Sequence, residues 1–267
     1  MKKNFTGIIC LFFILKGNSQ ELFVLTEPAS NMPAKSIGLR LTNNWMNNPK
    51  TNKLNYFLLP EIMWGVNKKL MLHAEFIATD RYGSLKYGGL SFYGKYRFYS
   101  EDGIHNHFRL AAYTRASTNN GTIHQEEIEI NGNNSGYELG LVATKLVHKV
   151  AVSASTSYEK AGNNTNNNKF PTAFSDQAIN YTLSIGKLML PKNYNNYQQT
   201  NVNFMVEMLG QSIVNRNKRF VDIAPSIQFI FNSQTRLDIG YRKQLYSNMV
   251  RMSNYSYLVR LEHLIFN

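Results

Sequence analysis

About a dozen stretches of this chain alternate apolar with polar residues, and the last of them, Tyr255 to Phe266, runs almost to the C-terminus. A period of two puts neighbouring side chains on opposite faces of a strand, so the pattern describes strands with one apolar and one polar face. Tyr56, Leu58, Pro60, Ile62, Trp64 and Val66 share one face while Asn55 and Glu61 lie on the other. Val202, Phe204, Val206 and Met208 likewise oppose Asn201, Asn203 and Glu207, and Leu237, Ile239 and Tyr241 oppose Arg236, Asp238 and Arg242. The spacing predicts about twelve strands, roughly 36–46, 54–66, 69–80, 86–99, 105–117, 135–147, 149–160, 177–190, 200–214, 220–232, 235–246 and 253–266. Such strands are long enough to cross a bilayer when tilted, which takes about 9–11 residues.

The leader bears on the compartment. Lys2 and Lys3 form a positive n-region, Ile8 to Leu15 is apolar, and Gly17-Asn18-Ser19 offers small residues for cleavage. Residues 1–19 are therefore expected to be a signal peptide, since the apolar run is well short of the roughly 20 residues of a spanning helix. A lipoprotein reading would use Gly7-Ile8-Ile9-Cys10, but almost no apolar run precedes that cysteine. Cys10 is the only cysteine of the chain and leaves with the leader, so the mature protein must be held by its sheet and not by disulfides. Loss of Lys2, Lys3 and Lys16 takes the formal charge from +12 to +9. A basic chain suits an anionic solute, a nucleic acid or a phosphate-rich membrane surface, and equally a solvated basic surface.

Connections carry an independent signal. Those after the odd strands (Asn47–Asn52, Arg81–Leu85, Thr118–Asn134, Ala161–Asp176, Asn215–Arg219, Ser247–Met252) are polar, Asn-rich and include the two longest. Those after the even strands are mostly tight, as at Asn67-Lys68, Glu101-Asp102-Gly103 and Asn232-Ser233-Gln234, with Pro191–Gln199 the exception. Long loops at one end and short turns at the other suit an up-and-down membrane barrel with both termini on the periplasmic side.

A soluble sandwich would show the same alternation with its apolar face turned inward. The polar face decides between them. Ala151, Ser153, Ser155 and Ser157 line one strand and Asn180, Thr182, Ser184 and Gly186 another, as a narrow interior requires. The same face carries Arg40, Glu61, Glu75, Lys95, Arg97, Arg109, Arg115, Glu138, Glu207, Asp222, Arg236, Asp238, Arg242, Arg260 and Glu262. An Arg or Lys facing lipid at the midplane costs about 2–4 kcal/mol, so in a membrane barrel this face must point inward, and these residues are the candidate lumen lining. Lys145, Lys187 and Lys243 have the opposite parity but lie near strand ends, where an ammonium can reach headgroups. Trp45, Tyr56, Trp64, Phe98, Tyr137, Tyr158, Phe231 and Tyr255 cluster near strand ends on the apolar face, as interfacial girdles or simply as residues that favour strands.

With these features the chain resembles Gram-negative outer-membrane β-barrel proteins, particularly the small transporter-like barrels of Bacteroidetes-type bacteria. The terminal strand Tyr255–Phe266 is similar to the C-terminal signal read by the barrel-assembly machinery, although Phe266 is penultimate and Asn267 last. The resemblance implies an all-β, transmembrane, antiparallel up-and-down barrel over 36–267, preceded by a periplasmic N-terminal arm at 20–35 that is either tucked into the lumen or a disordered lead-in. It also implies outer-membrane lipid and lipopolysaccharide as surroundings.

Motifs for chemistry are sparse. There is no G-x-S-x-G, and His263 and Ser247 fall at opposite ends of the barrel, too far apart to act as base and nucleophile. His105 and His107 share a face, but two ligands make a weak metal site. Glu127-Ile128-Glu129-Ile130 reads as a short hairpin extension or as a cation-collecting loop. No phosphate loop is present, and the basic residues are scattered through the strands instead of forming a nucleic-acid stripe. No cofactor, metal or catalytic residue is therefore expected. The expected function is passive passage of a small solute through a charged lumen; the alternatives are a non-conducting structural or adhesive barrel and, last, a lipid-modifying enzyme.

Overall fold

The computed structural model describes residues 23–81, 83–103, 106–192 and 198–266; the leader at 1–19 and Asn267 lie outside them. The strands are β1 (Ser36–Asn47), β2 (Leu54–Gly65), β3 (Leu70–Thr79), β4 (Lys86–Asp102), β5 (Asn106–Asn119), β6 (Gly136–Val147), β7 (Val150–Ala161), β8 (Gln177–Leu190), β9 (Asn201–Ile213), β10 (Arg219–Phe231), β11 (Thr235–Ser247) and β12 (Tyr255–Phe266). Each pairs antiparallel with its neighbours in sequence, and β12 closes on β1 from Ser36↔Phe266 to Met46↔Ser256. Closure leaves no sheet edge, which is what a sheet in hydrocarbon needs.

Strand limits fall within a few residues of the expected ones, with one correction at a turn. Glu101 and Asp102, expected to be turn residues, continue β4, because a register shift between Arg97 and Tyr99 lets the strand run on opposite Phe108 and His107. The tight turns use residues that tolerate a left-handed backbone: Asn232, at φ 51°, opens the β10–β11 turn.

The apolar face points outward. Leu39, Ile62, Phe92, Leu141, Ile185 and Ile239 are exposed along the mid-strand belt, whereas Glu61, Lys95, Glu207 and Asp238 are buried. Aromatic pairs mark the loop end of the belt, Trp45 against Tyr56 and Tyr137 against Tyr158, with Trp64, Phe98 and Phe231 near the turn end. Lys145, Lys187 and Lys243 are exposed, as their strand-end positions require.

Inside, the barrel is filled. Apolar side chains also face inward: Phe57, Leu59, Ile77 and Met252 form one cluster, and Phe23, Val24, Leu146, Ala151, Met205 and Leu258 another. An interior of small and charged residues alone was too polar an expectation, because the space is shared with two inserted segments that bring their own apolar residues. One is the arm Phe23–Pro33, whose carbonyl at Pro33 passes so close to Gly65 that a Cβ there would sit 2.1 Å from it. The other is the connection between β5 and β6. The hairpin expected at Glu127–Ile130 is not formed; Ile128 and Ile130 instead turn inward onto Ala161, Ala178, Ile213, Phe220 and Met249, since burial there outweighs a two-strand extension in water.

Gly65→Val should dislodge the arm where it leaves the barrel. The expected outcome is faster proteolysis near Lys35, with the heat-modifiable gel mobility of the barrel retained.

Candidate functional site

Three polar clusters stack along the barrel axis, and two of them hold the inserted segments. In the half nearer the short turns, Glu207 on β9 receives the arm. Val24 N and Leu25 N donate to its Oε1 at 3.0 and 2.9 Å, and Thr26 N and Thr26 Oγ1 donate to Oε2 at 2.8 and 2.7 Å. Four donors on one carboxylate make up for the water it lost on burial. The arm continues past Thr144, whose Oγ1 accepts from Ala29 N at 2.9 Å. Lys95 on β4 donates to the carbonyls of Pro28 and Ser30, and Arg109 donates to Ser30 Oγ at 2.8 Å.

Beside the arm, Arg40 on β1 lies among three carboxylates. Its Nη1 is 3.0 Å from both Glu27 and Glu61, and its Nε is 2.7 Å from Glu262. Arg236 adds a bond to Glu262, and His73 Nδ1 lies 2.6 Å from Glu61. The strand register explains the grouping, because Arg40 faces Glu61 across one seam and Glu262 across the other. Burial works against the charge on Glu27, but the Arg40 guanidinium and the Lys95 ammonium outweigh it and hold this carboxyl well below its usual range.

At the long-loop end, Arg251 clamps the β5–β6 connection. Its Nε and Nη2 reach the two Glu127 oxygens at 2.8 and 3.0 Å, its Nη1 and Nη2 reach Asp222 at 2.9 and 2.8 Å, and its guanidinium lies 3.4 Å from the Phe220 ring centre. Arg242 Nε donates to Asp222 at 2.7 Å. Gln211 on β9 holds Ile128 by both backbone groups, accepting from N at 3.0 Å and donating to O at 2.7 Å. Glu126 adds contacts to Val250 N at 2.8 Å and to Lys218 at 3.3 Å.

Between the clusters lies a middle belt. Arg115 stands 3.6 Å from Glu138 and over the Tyr93 ring, Arg260 reaches Asp238 at 4.0 Å and Thr42 Oγ1 at 3.1 Å, and one oxygen of Glu75 is buried without a hydrogen-bond partner. All the residues named from sequence are thus inside except Arg97, which lies at the rim and donates to Lys68 O at 2.7 Å. Sequence reading missed Glu27, His73, Glu159, Gln211 and Arg251, and read Glu127 as part of a hairpin extension or cation-collecting loop. Glu27, Glu127 and Arg251 lie outside strands, where parity has no meaning. His73 and Gln211 were legible by parity but carry no formal charge, and Glu159, which accepts from Gln211 Nε2 at 3.1 Å, was legible by both parity and charge and was passed over. His107 Nδ1 pairs with Asp102 at 2.8 Å, His105 lies outside the described residues, and no metal-holding group of three His, Cys, Asp or Glu side chains occurs among the described residues.

No family model matches the chain, and no curated protein matches it. Among solved structures the chain is similar to an outer membrane channel from Pseudomonas putida F1, at TM-score 0.57 and 12% identity over 91% of this chain and 100% of that one. It is also similar to KdgM porin, at 0.51 and 8% over 86% and 99%, and to NanC porin, at 0.50 and 9% over 86% and 99%. At these identities the likeness is one of fold, and this chain's own fold is a closed, twelve-strand antiparallel β-barrel.

Two outcomes follow. Glu207→Ala strands three amides, while the Thr26 hydroxyl keeps Ser184, and should lower stability by about 2–5 kcal/mol in urea unfolding, with Glu207→Gln recovering part of the loss. Burial, with Glu127 and Glu138 nearby, pushes the Glu129 carboxyl up to about 7 despite Arg242 and Arg115. A raised carboxyl favours the packed connection fully below its ordinary value near 4.5 and loses that contribution as pH rises through about 7. Amide protection factors at 121–134, taken relative to the intrinsic rate at each pH, should therefore fall over that window in the native chain and stay flat in Glu129→Gln.

Proposed function

We propose that the protein is a narrow outer-membrane channel for small anionic solutes, constricted by the arm below and the β5–β6 connection above. One observation carries the reading: four arginines keep more water contact than the strand acids they pair with. Arg40, Arg115, Arg242 and Arg260 retain 10, 16, 16 and 13% side-chain exposure. Glu61, Glu262, Asp222 and Asp238 retain 7, 4, 2 and 1%. A solute in the barrel therefore meets guanidinium groups first, and such charged surfaces set a preference in a pore. Glu27 beside Arg40, Asp102 beside Arg109 and Glu127 beside Arg251 run the other way and reduce this bias.

Resemblance in fold to porins and channels supports passage over catalysis. On this reading the surroundings are outer-membrane lipid and lipopolysaccharide, and Tyr255–Phe266 is what the barrel-assembly machinery receives. The near-complete burial of Lys95, Glu207, Gln228 and Asp238 favours a second reading, a non-conducting barrel whose Asn-rich loops bind an external partner.

Conductance in planar bilayers separates the two. The channel reading expects small, anion-selective steps, a permeability ratio reduced roughly twofold by Arg115→Ala or Arg242→Ala, and larger steps when residues 23–33 are deleted. A folded barrel that stays silent with and without the arm would leave only the non-conducting reading.

A further inference from the structure

Where the arm leaves the barrel, a cavity of about 30 Å³ lies between it and the inner wall. Three thioethers and one imidazole line it: Met32 of the arm, Met63 on β2, and Met71 and His73 on β3. The register of the wall brings them together. Met63 stands opposite His73, and Met71, two residues along the same inner face, stands opposite Gly65. The missing side chain at Gly65 makes room for Met32, whose Cγ would lie 3.0 Å from a Cβ there. Gly38, opposite Met63, makes room for the thioether ends, since its Cβ would lie 2.5 Å from Met63 Cε and 3.5 Å from Met32 Cε. Met63, Met71 and His73 are buried.

Methionine fills irregular gaps in many cores, so three of them under a strap are not by themselves a site. The imidazole adds the second observation. His73 Nδ1 lies 2.6 Å from Glu61 Oε1, and a carboxylate only accepts, so in the neutral ring Nδ1 carries the proton. Nε2 is then a lone pair, and it is buried with no hydrogen-bond partner. One nitrogen held by a carboxylate and the other bare is how a metal-ligating histidine is oriented. Water between His73 and Asn31, whose amide is also unpartnered, would satisfy the nitrogen but leave the three sulfurs unused.

The remaining polar groups narrow the ion. Glu27 and Glu262 line the cavity but are engaged by Arg40, Lys95 and Arg236, which leaves sulfur and one nitrogen as the free donors. That soft set favours Cu(I) over hard cations. Arg40, Arg236 and Lys95 balance Glu27, Glu61 and Glu262, so a single added positive charge meets less repulsion than two. We propose that Met32, Met63, Met71 and His73 form a binding site for one Cu(I) ion, which ties the arm to the wall. The site is independent of passage along the axis.

The mature full-length protein, folded in detergent and titrated anaerobically against Cu(I) bicinchoninate with ascorbate, provides the test. It should withdraw one equivalent of Cu(I), and X-ray absorption at the copper edge should show sulfur together with a single imidazole. The paired change Met63→Leu and Met71→Leu keeps side-chain volume, and should weaken binding at least roughly tenfold, the lower end of what losing even a supporting partner costs a metal site. Gly65→Val alters no ligand, yet should also weaken binding, because it displaces the arm that carries Met32. Met205→Leu, packed with Phe23 but outside the cavity, should leave the affinity unchanged. Heat-modifiable mobility verifies that each variant is folded. Uptake that persists undiminished in the paired variant would mean capture by exposed thioethers such as Met189 and Met208, and would overturn the proposal. So would a folded native protein that takes no Cu(I) from the dye, since the cavity would then hold water only.

Discussion

Charge has one place to go in this wall. A guanidinium turned toward acyl tails costs about 2–4 kcal/mol at mid-depth and a carboxylate somewhat less, and the chain carries more than a dozen of them on its strands. The period-two pattern sends those at mid-strand inward, where opposite signs meet across adjacent strands, and leaves Arg97, Glu101 and Asp102 at the rim. Arg40, flanked in register by Glu61 and Glu262, shows how directly this works: the closing seam between first and last strands places a cation between two anions. Barrel closure and charge neutralisation are the same event viewed from two sides.

Neutralisation across strands does not fill a twelve-strand interior, which is wider than paired side chains alone can occupy. The two inserted segments complete it, and each is held by the same device, a buried charged group spending its hydrogen bonds on backbone or on an opposite charge. Glu207 does so for the arm; Arg251, with Gln211 beside it, does so for the β5–β6 connection. Small side chains on β7 and β8, such as Ser153 and Ser184, leave the room, and Ser184 Oγ meets Thr26 Oγ1 at 2.9 Å.

The wall was legible in the sequence because its rule is local. Tyr56 to Val66 declares its two faces without knowledge of any other strand, and loop lengths alone order the ends. The inserted segments were not legible for the opposite reason. Nothing near Val24 indicates that its amide will meet Glu207, 183 residues away, and nothing near Glu127 points to Arg251. Glu127–Ile130 alternates like a strand, yet its isoleucines found partners on β7, β8, β9 and β10 that a local pattern cannot see. Pro60 was read as one more apolar-face residue; only the pairing of β2 with β3 reveals that the ladder lapses beside it.

The arm's anchoring also constrains the order of assembly. It is covalently joined to β1, one lip of the closing seam, yet its acceptors sit on β6 and β9, which emerge from synthesis much later. A closed cylinder offers no side entrance wide enough for a folded strap, so the segment must already lie in the concavity of the curling sheet when β12 arrives. Biogenesis and constriction are therefore coupled in time: the arm is in place from the moment the wall closes.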